Sequence, residues 1–97
     1  HNLNVQILGP SSFISTLNEL KKFLKFNPSP SNLNDIPNII LFHIDVLKDI
    51  KTKEFIVNNN IIKICAGKKK DLIGDFDAIL ELPASLKEIN AAVEKTV

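Results

Sequence analysis

Hydrophobic and polar positions along this 97-residue chain fall into short blocks whose period switches between two and about 3.6 residues. Leu3, Val5, Ile7 and Leu8, interrupted by Asn4 and Gln6, alternate as a strand does, and Gly9-Pro10 stops the run. Phe13, Leu17, Leu20 and Leu24 then recur at helical spacing, with Ser11 or Ser12 as the expected cap. Lys21, Lys22 and Lys25 fall on the other side, toward the negative end of that helix's dipole. Three prolines between residues 26 and 37 exclude a regular helix there and leave room for a short edge strand near Phe26. Residues 38–46, NIILFHIDV, form the clearest strand, with the near-continuous apolar character of one covered on both faces.

The lysine-rich amphipathic stretch 47–57 predicts a helix ended by Asn58-Asn59-Asn60. Residues 61–66 predict a second buried strand, closed by Gly67 and the run 68–70, and residues 78–82 a further one. Ser85 and Glu88 stand at capping-box spacing ahead of the apolar face Leu86, Ile89, Ala92 and Val93. No internal repeat is evident. Strands alternating with helices imply right-handed crossovers and a parallel sheet with helices on both faces. In such sheets ligands sit at the C-terminal strand ends.

Composition narrows the function classes. The length is enough for one hydrophobic core, so residues 1–97 are expected to form a single domain. No apolar run approaches the ~20 residues of a membrane-spanning helix, and the opening HNLNVQILGP lacks the parts of a signal peptide. A single cysteine, Cys65, makes no internal disulfide and fits a reducing compartment, so a cytoplasmic location without membrane contact is expected. A net charge of +1 argues against a dedicated nucleic-acid surface, which needs an excess of cations to neutralise phosphates. A chain without methionine that opens on His1 reads as a piece of a longer protein with a tag remnant in front.

The order of these blocks resembles the receiver domains of bacterial two-component response regulators. GDFDAILELPASLKEINAAVEKTV, residues 74–97, resembles the receiver stretch GADDYLxKPFSxxELxxxV. PNIILFHIDV is similar to the strand PDLILLDIxMP, IIKICAG to PIIxLTA, and VQILGPSSFI to the opening ILVVDDDP in pattern only. The resemblance spans residues 4–96 and implies a flavodoxin-like, receiver-like three-layer α/β/α sandwich around a parallel sheet. The chain is short around residues 27–37 and before Gly74, which implies shortened second and fourth helices.

A working receiver holds Mg²⁺ on carboxylates after the first strand and accepts phosphate on an aspartate ending the third. A hydroxyl and a lysine then stabilise the added charge. By the resemblance, Gly9 and Pro10 occupy the acidic positions, His43 the phosphoacceptor position, Cys65 the hydroxyl position and Leu82 the lysine position. Pro83 is kept, and the resemblance implies a cis bond before it; Ile79 stands where the family's switch carries an aromatic ring. The expected protein is therefore a pseudo-receiver: no enzyme, no metal and no cofactor, acting through contact. The family's interaction face maps onto Asp71, Leu72, Ile73, Ala78, Ile79, Leu80, Lys87, Asn90, Ala91 and Glu94. The implied partner is a second copy or an output module beyond Val97, and DNA would be touched only by that module.

Sharper readings of single residues stand beside this one. Asp45 is an alternative phosphoacceptor, although capping the helix that begins near Val46 is its plainer role. His43 is a candidate phosphoryl acceptor or pH- and ligand-sensing group, against the plainer reading of a hydrogen-bonded packing residue. His43, Asp45 and Cys65 would suit zinc, or Cys65 with His43 a nucleophilic enzyme, if the three met; otherwise Cys65 is a small buried hydrophobe. Lys68, Lys69 and Lys70 suggest a phosphate site, but Asp71, Asp75 and Asp77 nearby favour a solvated turn. No glycine-rich phosphate loop is present, because Gly9 stands alone before a proline.

Overall fold

Alternation along β1 (Asn4–Leu8) orients the sheet: Val5 and Ile7 are buried on one face, whereas Asn4 is exposed. The computed structural model describes residues 3–97, so His1, read above as a tag remnant, lies outside the described residues. Strands β2 (Asn27–Pro30), β3 (Ile39–His43), β4 (Ile62–Gly67) and β5 (Ala78–Glu81) complete a five-stranded sheet in the order β2-β1-β3-β4-β5. Every neighbouring pair is parallel. Helices α1 (Ser11–Glu19), α2 (Ile50–Asn58) and α3 (Leu86–Glu94) flank it. This is the flavodoxin-like order, with a topological switch between β1 and β3.

The period of two divides the core cleanly. Val5, Ile7, Leu41, Ile64, Ala66, Ala78 and Leu80 pack with Leu17, Leu24, Ile89, Ala92 and Val93, so α1 and α3 cover one face. Ile40, Phe42 and Cys65 pack with Ile56, Ile61 and the partly buried Leu47, Phe55, Leu72 and Phe76, so α2 and the loop before β5 cover the other. The result is a three-layer α/β/α sandwich. Strands buried on both faces read as continuous apolar runs, and β3 and β4 do.

Helix boundaries differ from the periodic reading, for local reasons. The first helix stops at Glu19, and Lys21–Phe23 forms a single 3-10 turn before the chain extends at Leu24. Asn90 of α3 holds that exit: its Oδ1 accepts from the Lys25 N–H (2.8 Å) and its Nδ2 donates to the Phe23 carbonyl (3.2 Å). Neither serine caps α1, because Pro10 occupies the cap position and both serines already lie inside the first turn. The stretch after β3 splits into a 3-10 segment, Ile44–Lys48, and α2, joined at the extended residue Asp49. Asp49, not Asp45, caps α2, accepting from the Thr52 N–H (3.0 Å) and hydroxyl (2.7 Å).

The expected shortening is complete at the second helix: residues 31–38 contain none. The segment is held instead by Asn32, whose Oδ1 accepts from the Asn34 and Asp35 N–H groups (2.9 and 3.2 Å). Gln6, on the face this helix would cover, reaches the Asp35 carbonyl at 3.5 Å. The fourth helix is reduced to one 3-10 turn, Lys69–Asp71. At the last helix the capping box forms in full, with Glu88 N–H on Ser85 Oγ (3.2 Å) and Ser85 N–H on Glu88 Oε1 (2.9 Å).

Candidate functional site

Because all strands are parallel, the ends of β1, β3, β4 and β5 open on one side of the molecule. There Gly9 lets three elements converge: a Cβ on it would stand 2.6 Å from Phe13 Cδ2 and 3.0 Å from His43 Cβ. The Phe13 and His43 rings meet edge to face, with centroids 5.7 Å apart and planes at 71°. Between α1 and α3 these rings border a cleft of about 310 Å³, completed by Pro10, Ser12, Thr16, Leu17, Leu80, Leu82, Pro83, Ala84 and Ile89. The Leu82–Pro83 bond is cis.

His43 has a defined hydrogen-bonding state. Its Nδ1 accepts from the Asp45 N–H at 3.1 Å, which caps the 3-10 segment and places the proton of the neutral ring on Nε2. The same Nδ1 lies 3.7 Å from Asp45 Oδ2, an approach that attracts only a protonated ring.

The remaining sequence-predicted positions scatter. Cys65 pairs laterally with Phe42 on the α2 face, whereas His43, one residue on, belongs to the opposite face. A Cys65–His43 dyad and a His43–Asp45–Cys65 metal site are both ruled out by that register. Burial alone pushes the Cys65 thiol up to about 12, away from the thiolate a nucleophile needs. Among the described residues no three His, Cys, Asp or Glu side chains come together as a metal site. With Gly9 and Pro10 ending β1 and Asp45 half-exposed and 3.5 Å from Lys48 Nζ, the residues do not fit the Mg²⁺ site of a receiver. Lys69–Asp71 is a solvated turn; Lys70 and Asp71 border a shallow hollow with Asp45 and Lys48, where the charges are mixed.

The expected interaction face divides. Ile73 (83% exposed), Ile79 (57%), Asp71, Lys87, Ala91 and Glu94 are at the surface. Ala78, Leu80 and Asn90 are buried in the α3 layer and Leu72 is half-buried against the α2 layer, so these four are core, not contact. Sequence reasoning passed over Phe13, Thr16 and Ala84, which build the cleft. Phe13 read only as a helix position, and nothing in spacing shows that α1 and the loop after β5 face each other.

The fold and these strand ends define a small flavodoxin-like α/β domain, consistent with receiver topology. No protein-family model, curated protein or solved structure matches the chain. Among the described residues no helix is long and apolar enough to cross a membrane.

Proposed function

We propose that this chain is a non-phosphorylatable, receiver-like regulatory and dimerisation domain that acts by protein–protein contact and catalyses no reaction. One observation carries the reading: the β2-β1-β3-β4-β5 frame is intact while its C-terminal strand ends carry Gly9, Pro10, His43 and Leu82 in place of phosphate chemistry. What such a frame keeps is surface. The reading is supported by Ile79 and Ile73, large apolar side chains left in solvent where the fourth helix is reduced to a turn. Charged neighbours Asp71, Lys87 and Glu94 would form the rim. The partner is a second copy or the domain's own output module, and any DNA contact belongs to that module, in keeping with the near-neutral charge. Sedimentation equilibrium over micromolar concentrations tests it. A dimer indifferent to acetyl phosphate and Mg²⁺, and weakened at least tenfold by Ile79→Glu, is expected; a monomer at every concentration defeats the dimer.

A second reading has its own observation. Asp45 lies beside both the Lys48 ammonium and the His43 ring, so an atypical switch phosphorylated at Asp45, or sensing through His43, would find partners there. A phosphoryl-sized mass gain with acetyl phosphate, abolished by Asp45→Asn, would establish it over the first.

A further inference from the structure

The cleft beside His43 has a chemistry that the loss of phosphate machinery does not explain. Its walls are apolar: Phe13, Leu17, Leu80, Leu82, Pro83 and Ile89. Its volume of about 310 Å³ lies at the lower end of small-molecule sites, room for roughly ten non-hydrogen atoms. No carboxylate lines it, and His43 is its single ionisable residue. Since Nδ1 is engaged by the Asp45 N–H, the neutral ring presents Nε2–H as a donor with no protein acceptor among the described residues. Ser12 adds a hydroxyl, while that of Thr16 is engaged with the Ser12 carbonyl at 2.9 Å. The first turn of α1, which borders the cleft, has no side-chain cap.

We propose that this cleft binds a small monocarboxylate with an apolar body, its head group accepting from His43 Nε2–H and Ser12 and its body lying against Phe13, Leu82 and Ile89. An amine is disfavoured because nothing anionic lines the walls. A phosphate dianion is disfavoured because no lysine or arginine lines them, and a double charge would be desolvated among apolar side chains. The position is where open α/β sheets take ligands, outside the C-terminal strand ends beside the β1/β3 switch. Binding here stands apart from the contact surface at Ile79, so the two readings fail separately.

The test is an NMR titration of the whole chain with phenylacetate, phenylacetamide and inorganic phosphate. Phenylacetate is expected to give saturable shifts confined to residues around Phe13, His43, Leu82 and Ala84, saturating below about 10 mM. The amide and phosphate should each bind at least tenfold more weakly. His43→Leu should weaken the acid at least tenfold and leave the amide unchanged. Thr16→Phe, at an exposed α1 position whose side chain would fill the mouth, should abolish binding in a folded protein. No saturable shift, equal binding of acid and amide, or binding that survives Thr16→Phe would overturn the proposal. A dimer that shows no saturable shift with phenylacetate would overturn it while leaving the contact reading in place.

Discussion

Asn90 and Gly9 show how single side chains set the geometry around the strand ends. The Asn90 amide satisfies a donor and an acceptor of the chain between α1 and β2, 65 and 67 residues away in sequence. Asn90→Ala would leave both partly buried backbone groups without this partner, and a loss of about 1–2 kcal/mol in urea unfolding is expected. Asn90→Asp keeps the acceptor and loses the donor, so it should fall between. At Gly9 the constraint is space: even Gly9→Ala would crowd both the Phe13 ring and His43 Cβ, so Phe13 must give way. A loss of about 1–3 kcal/mol is expected, together with displaced His43 ring resonances.

Among the elements, the two well-capped helices tie stability to pH. Glu88 is held below the usual carboxylate range by the Ser85 N–H and then the Ser85 hydroxyl contact. Asp49 is lowered by the Thr52 hydroxyl, then the Thr52 N–H, with Lys51 adding a smaller attraction. A folded pKa below the unfolded one gives stability that is present above the ordinary carboxylate range and is lost as pH falls through the lowered values. Thermal melts from pH 6 to pH 2 should therefore show a decline below about pH 4, flattened in Asp49→Asn/Glu88→Gln. Ser85→Ala should cost about 1 kcal/mol at neutral pH.

The edge strand β2 solves a different problem. The Asn27 and Ser31 N–H groups donate to Leu3 and Ile7 (2.7 and 3.1 Å), so odd residues face β1. Pro28 and Pro30 then stand where N–H groups would point outward, and that edge offers no donor to another strand. Pro30→Thr restores one donor at an exposed position. Its stability should change by less than about 1 kcal/mol while light scattering on prolonged incubation rises.

For the molecule as a whole, the sheet divides two cores of unequal size, and Cys65 reports on the smaller. Its thiol is fully buried against Phe42 under the α2 layer, so a thiol reagent reaches it only through opening of that layer. Modification in native buffer should be slower than in urea by at least a hundredfold, with a rate that follows unfolding across the urea series. The raised thiol also sets an alkaline limit. Stability from keeping Cys65 neutral is present below the unfolded value and is lost as pH rises from about 9 toward about 12. Cys65→Ala should be less stable at pH 7 yet lose that alkaline slope, measured by urea midpoints.

Strand periods, the edge character of the proline-rich segment, the final capping box and the parallel flavodoxin-like class were legible in residue order. Each depends on contacts within a few residues or on a face that must be buried, and such rules act locally. The break after Glu19, the transfer of the α2 cap from Asp45 to Asp49, and the absence of a helix in residues 31–38 were not legible. Turn geometry and contacts from distant residues, Asn90 above all, override periodicity there. Sequence alone thus determined the order of the strands and their apolar centres, though Ile44, Asp45 and Val46, read as the end of the third strand, belong to the 3-10 segment that follows it. Only the tertiary structure decided that His43 and Cys65 look to opposite faces and that Phe13 meets His43 over Gly9. It alone placed a cleft between α1 and α3, because facing and convergence follow from register and crossover, which no local pattern encodes.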